Sequence, residues 1–242
     1  MMDSYVSIDL ETTGLNPRTD KIIEIGGVKV LDGKVSATFS ALVNPGRKLE
    51  RQITELTGLR DEDLTEAPFI GEVLPELFAF LEELPLLGHS VLFDFSFLKK
   101  AAADEKLVFE KQAVDTLQIA RKYLRTLESR RLDALCEYYG IPHHAHRALG
   151  DAEATDALYR RLKKEFFSET EGLFCPTALV YKVKRDPPAS KAQKERLYRL
   201  MQQHKIIPDV EIERLSRSEA SRLADKMNVR IHQGSCPSDA PQ

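Results

Sequence analysis

The chain reads as an α/β protein. Alternating apolar runs crowd the first 43 residues, short apolar runs and amphipathic stretches alternate after that, and no apolar run is long enough to span a membrane. A strand meander followed by strand and helix alternations implies a mixed sheet with helices covering its faces.

The predicted strands come in order at 5–10, 21–31 and 34–43, with Leu31-Asp32-Gly33-Lys34 as a hairpin turn. Asn44-Pro45-Gly46 ends the meander. Amphipathic segments follow at 53–56 and 70–84, the second with apolar residues at Val73, Leu77, Phe80, Leu81 and Leu84. A fourth strand is expected at 86–89, a helix at 95–103 and a fifth, short strand at 113–115. Helices are expected at 116–124 and 132–139, the latter stopped by Gly140-Ile141-Pro142. The segment 149–167 forms a strong helix, with Leu149, Ala152, Tyr159, Leu162 and Phe166 on one side.

Near residue 168 this pattern stops. Residues 169–190 read as a linker with room for a short strand, and Ser190 as a helix cap. Residues 191–230 read as a small basic helical unit, with helices at 191–204 and 218–227, Ser218 and Glu219 forming the cap and first turn of the second. Residues 231–242 read as a disordered tail. At 242 residues the chain holds one core of about 150 residues or more, here 1–168, with a small appendage.

The net charge of −3 hides an asymmetry. Residues 181–232 carry 13 Lys and Arg against 7 Asp and Glu, or +6, and the rest of the chain sums to −9. A basic appendage on an acidic body fits a hand for a phosphate backbone, a docking surface for a polymerase or helicase, or a solvated helical pair. Residues 1–14 have neither a basic start nor an uninterrupted apolar stretch, so a cytoplasmic setting and no membrane are expected. Three cysteines at unrelated spacings suit a reducing compartment.

Five residues carry the chemistry: Asp9 and Glu11 in IDLETTG, Asp94 in VLFDFSFL, and His146 and Asp151 in HRALGDA. Residues two apart on a strand share a face, so Asp9 and Glu11 point the same way while Val6, Ile8 and Leu10 point the other. Two carboxylates that close repel each other, and hard divalent cations are their natural partners. Each residue also has a plain alternative. Asp9 and Glu11 could mark a strand end running into solvent, Asp94 could cap a helix, and Asp151 could sit in a first turn for the helix dipole alone. The histidines of 143–146 allow a transition-metal reading, but no cysteine accompanies them and carboxylates favour magnesium or manganese.

Taken jointly, Asp9-x-Glu11-Thr12-Thr13-Gly14, His89-x-x-x-Phe93-Asp94 and His146-x-x-x-x-Asp151 resemble the three motifs of the DEDDh, or DnaQ-like, 3′-to-5′ exonucleases. Asp115-Thr116-Leu117 and Ala120-Arg121 fit the same family, and the resemblance spans residues 4–167. One departure is Ser90, where the family often has Asn.

The resemblance implies an RNase H-like fold, a five-stranded mixed sheet flanked by helices, followed here by the small C-terminal helical unit. It implies two divalent cations, Mg²⁺ or Mn²⁺. Asp9 would bridge them, Glu11 and Asp151 would help hold one, and Asp94 would support the other. His146 would be the general base. Thr12, Thr13, Gly14, Leu15, His89 and Phe93 would meet the terminal nucleotide. The expected substrate is a single-stranded or frayed DNA 3′ end, released as nucleoside 5′-monophosphates, with a DNA polymerase or helicase as candidate protein partner. The alternatives are an RNA-processing 3′-to-5′ exoribonuclease and a non-catalytic nucleic-acid-binding polymerase accessory module.

Overall fold

A computed structural model describes residues 2–143, 146–168, 172–183, 187–205 and 212–234. The chain divides into two compact units. The first is residues 1–44 with 49–182, and the second is 45–48 with 183–242.

The first unit is built on one mixed sheet. Strands β1 (Tyr5–Thr12), β2 (Ile22–Leu31) and β3 (Lys34–Leu42) form the antiparallel meander. Asp32 at φ +48° and Gly33 at φ +76° close the hairpin between β2 and β3, the double left-handed turn that matches strand twist. β4 (Leu86–Gly88) and β5 (Gln112–Asp115) lie parallel to β1, and β6 (Thr177–Ala178) adds antiparallel to β5. The order is β3-β2-β1-β4-β5-β6. The sheet thus has six strands where five were expected, the sixth being a two-residue strand in the predicted linker.

Helices α1 (Arg51–Thr57), α2 (Asp61–Thr65), α3 (Ile70–Leu81), α4 (Leu92–Asp104), α5 (Thr116–Tyr123), α6 (Leu132–Tyr139) and α7 (Ala148–Phe166) complete the unit. Val6, Ile8 and Leu10 of β1 pack with Val73, Leu74 and Leu77 of α3 and Phe95 and Leu98 of α4. Tyr5, Val28, Val30, Leu87 and Val114 pack on the opposite face with Leu158, Tyr159 and Leu162 of α7. Both faces of β1 are therefore covered, and the side that carries Asp9 and Glu11 lies under α7. Ser7 Oγ donates to the Ala152 carbonyl at 2.8 Å, and Tyr5 Oη donates to Asp156 Oδ1 at 2.5 Å. These two bonds key α7 to β1 along its length.

The second unit pairs α8 (Lys191–His204) with α9 (Arg217–Gly234) around Leu197, Ala220, Ala224 and Met227. Ser190 and Gln193 form the reciprocal cap of α8. The second helix starts one residue before the expected Ser218. Its cap is Ser216: the Ser216 N–H donates to Glu219 Oε2 at 2.9 Å, and the Glu219 N–H donates to Ser216 Oγ at 3.3 Å. α9 runs to Gly234, past the end expected at 227, so 231–234 of the expected tail are helical and 235–242 lie outside the described residues. Among the described residues no helix is long and apolar enough to cross a membrane.

Candidate active site

Asp9 and Glu11 stand near the C-terminal end of β1, opposite Gly26 and Glu24 of β2. Gly26 has no side chain where the start of α7 crosses the sheet. A Cβ there would lie 2.1 Å from the Ala148 carbonyl carbon and 2.2 Å from the Leu149 nitrogen. Glu24 completes the seat. Glu24 is 1% exposed; its Oε1 accepts from Arg147 Nη2 at 2.9 Å, and its Oε2 accepts from Arg147 Nε at 3.3 Å and from the Ala148 N–H at 3.1 Å. A fork of two parallel bonds fixes direction as well as distance. Asp151 in the first turn of α7 is thereby carried against β1, and one oxygen from each of Asp9, Glu11 and Asp151 lies within 4.8 Å of the others.

Asp94 sits behind this trio. The helix expected at 95–103 begins earlier, at Leu92, so the capping alternative fails: Asp94 is inside the first turn and Val91 holds the cap position without a side-chain bond. Freed from capping, Asp94 Oδ1 accepts the Leu10 N–H at 3.1 Å, between the two β1 carboxylates, and the residue is 4% exposed.

The electrostatics of this grouping are unfavourable by themselves. Burial raises the Asp9 carboxyl well above the usual carboxylate range, and Asp94, Asp151, Glu11 and Glu24 push it further up. Asp9 nonetheless keeps solvent access. Burial also raises Asp94, against the hydrogen bonds from its own N–H and that of Leu10. Glu11 is pushed up to about 7 by burial, Asp151 and Glu24, with Arg147 pulling the other way. Four acids held this way are a site for positive charge. Asp9, Glu11 and Asp151 offer carboxylate oxygens of the kind that would hold a hard cation such as Mg²⁺ or Mn²⁺. The three members of the group are carboxylates, donors that suit a hard cation.

His146 adopts φ +65° and its backbone N–H donates to Asp151 Oδ2 at 3.0 Å. Its half-buried imidazole has no hydrogen bond or ion pair among the described residues. The ring that meets Asp151 is that of His143, through Nε2 and Oδ1. Sequence reasoning did not single out His143; its only signal was membership of the His143-His144-Ala145-His146 cluster.

The loop after β1 starts at an irregular register between Glu11 and Thr12. Thr12 Oγ1 donates to the Gly14 carbonyl at 2.7 Å, and the Lys21 N–H donates to Thr13 Oγ1 at 2.9 Å. Leu15, at its tip, is 85% exposed. Phe93 is half-buried with its ring 4.9 Å from that of Phe97. His89 follows β4. The Arg130 carbonyl can only accept, so His89 Nε2 donates to it at 2.8 Å, and Nδ1 faces Thr116 Oγ1 at 2.9 Å. Burial lowers the His89 pKa, which keeps the ring neutral. Ser90 takes φ +75° while its N–H donates to Asp115 Oδ1 at 3.0 Å. Asn tolerates that left-handed conformation better than Ser, which is the physical side of the family's usual choice there.

An RNase H-like sheet with three carboxylates drawn to the end of its central strand, and a fourth behind them, defines a nuclease domain of the DEDDh type. A family model described as Exonuclease (RNase_T) matches residues 6–159, and the chain belongs to that family. It is 39% identical over 160 residues to the PolC-type DNA polymerase III of Caldanaerobacter subterraneus subsp. tengcongensis, a match covering 65% of this chain and 11% of that protein. The chain thus spans about a tenth of the length of the curated relatives it matches. Among solved structures it is similar to exonuclease X in complex with 5′ overhanging duplex DNA, with a TM-score of 0.55, 26% identity and coverage of 68% of this chain and 94% of that one. The nuclease domain of 3′hExo, a DEDDh family member bound to rAMP, shares the fold with a TM-score of 0.58 at 22% identity, covering 68% and 94%.

Proposed function

We propose that this chain is a metal-dependent 3′-to-5′ exonuclease that trims single-stranded or frayed DNA ends and releases nucleoside 5′-monophosphates. The observation that carries the reading is the convergence of Asp9, Glu11 and Asp151 within 4.8 Å, beside the buried Asp94. DNA is favoured over RNA by the 39% identity to a DNA polymerase and the 26% identity to an exonuclease solved with DNA.

Asp9, Glu11 and Asp151 would hold the divalent cations, Mg²⁺ or Mn²⁺, with Asp94 supporting the second. Bound there, two such ions supply charge compensation at the attacking and leaving oxygens of an in-line displacement. In the displacement a water oxygen joins phosphorus and the bond to the 3′-oxygen of the preceding nucleotide breaks. His146 takes the proton of the attacking water and passes it to solvent while the leaving 3′-oxygen takes a proton from solvent, a role open to an imidazole with no partner among the described residues. Thr12, Thr13 and Gly14 offer backbone groups to the terminal nucleotide, and Leu15, 85% exposed, offers an apolar face to its base. Phe93 walls the other side, and His89 contributes a ring face, since both its nitrogens are engaged.

Oligonucleotides labelled at the 5′ end, as matched DNA and RNA, test this. With Mg²⁺ or Mn²⁺ the DNA is expected to shorten stepwise. Release of the 5′ label as a mononucleotide at the outset would reverse the polarity, and an intact substrate at high enzyme would overturn the activity.

A further inference from the structure

The carboxylates are not the only charged group at this end of the sheet. β1, β4 and β5 are parallel, so their C-terminal ends emerge on one edge, with Ser7 level with Leu87 and Gly88 level with Asp115. Beyond β4 and β5 an open pocket of about 430 Å³ is lined by His89, Leu117, Arg121, Arg130, Arg131 and Leu132. Its lining includes three arginines and no acidic residue among the described residues, in a chain whose residues outside 181–232 sum to −9.

The lining is arranged, not incidental. Arg130 is braced by the Leu124 carbonyl at 3.1 Å and by the Arg125 carbonyl, and its own carbonyl accepts from His89 at 2.8 Å. His89, at the end of β4, therefore anchors the segment that carries Arg130, Arg131 and Leu132. Arg131 Nε is 3.4 Å from Asp133 Oδ1 in a solvent-exposed pair of little strength. Arg121 is exposed on α5 and has no hydrogen bond or ion pair among the described residues. Its charge helps to keep His89 neutral. Leu117, Leu132 and the neutral imidazole give the pocket apolar surface beneath the guanidinium groups.

Apolar surface beside the exposed Arg121 guanidinium suits a nucleotide: a base against the leucines, a phosphate against the guanidinium fork. The volume is within the roughly 300–1,000 Å³ of small-molecule sites. His89 follows β4, which pairs directly with β1 at a strand spacing of about 4.8 Å, so the pocket opens beside the strand that carries Asp9. Such a place suits the next residue along a nucleic-acid strand. We propose that this pocket is the subsite for the nucleotide preceding the terminal one, with Arg121 as its phosphate contact. The assignment rests on the exonuclease reading.

Two substrates separate it from that reading. A p-nitrophenyl ester of thymidine 5′-monophosphate fills only the terminal site, whereas oligothymidylates of two to eight nucleotides also reach the pocket. Arg121→Ala is expected to raise KM for the oligomers about tenfold, the loss of one charge-assisted contact, while ester hydrolysis stays within about twofold. The slope of log KM against log salt is expected to fall in magnitude by about 0.7, one phosphate's share on a single strand. Arg121→Lys is expected to restore the slope but only part of the affinity, because it keeps the charge and loses the fork. Unchanged KM and slope for the oligomers would overturn the assignment, as would an equal loss on ester and oligomer. If the wild type cleaves neither substrate, the exonuclease reading itself fails. Anisotropy of a fluorescent oligothymidylate then judges the pocket alone: tenfold weaker binding by Arg121→Ala keeps it as a nucleotide site, and unchanged binding removes it.

Discussion

Burial disfavours the charged forms of Asp9, Glu11 and Asp94, and each carboxylate adds to the others' difficulty. At residue scale the site is an arrangement that a fold keeps only for use with something positive. Asp151 binds the His146 backbone through one oxygen and the His143 ring through the other, which leaves the His146 imidazole without a partner among the described residues. His146→Ala is expected to lower kcat by about 10² to 10⁴, the range for a lost general base. A loss of that size in His143→Ala, with His146→Ala near wild type, would move the base role to His143; single-turnover cleavage by the two variants decides it.

At the scale of elements the position of Asp151 depends on how α7 begins. Gly26 clears the space, Glu24 binds Arg147 and Ala148, and the helix start settles between them. Arg147→Ala leaves the Glu24 carboxylate buried with one partner fewer and is expected to cost about 2–3 kcal/mol of stability. It is expected also to weaken activation by Mg²⁺, since Asp151 loses its fixed approach. Urea unfolding and a Mg²⁺ titration of activity check the two parts; wild-type values in both would show that α7 is seated by packing alone. None of this pairing is legible in the sequence, because Glu24 and Arg147 are 123 residues apart and no local pattern links them. Local patterns do reveal the hairpin at Asp32-Gly33, the α6 stop at Gly140 and the limits of α8, where turn and cap residues act within a few positions. α2, with five residues, is too short to show a helical period. The caps at Val91 and Ser216 are displaced from the expected residues because a bond across the fold, to Leu10, and a reciprocal pair with Glu219 win over the nearest acid or serine.

For the whole molecule, the raised carboxyls link stability to pH. A group whose folded pKa lies above its unfolded value stabilises fully below the unfolded value and loses that contribution as pH rises through the folded one. Glu11 moves from 4.5 to about 7, on the order of 3 kcal/mol in the metal-free protein, and Asp9 and Asp94 act in the same direction. In chelator the melting temperature is therefore expected to fall as pH rises from about 5 to 7.5, and Mg²⁺ is expected to reverse the fall. Calorimetry across that range would contradict this if the chelated protein held steady or grew more stable. The charge asymmetry legible in the sequence follows the two units: residues 181–232, at +6, include α8 and most of α9, and the family match at 6–159 stops short of them.

Carboxylates from β1, α4 and α7 gather at one end of the sheet, and their occupation by divalent cations decides the proposed chemistry. Anomalous diffraction from a crystal soaked in Mn²⁺ measures it directly. Manganese peaks are expected at Asp9, Glu11 and Asp151, with Asp94 nearby, and are expected to be lost in Asp9→Ala. A soaked crystal with no manganese among these oxygens would contradict it.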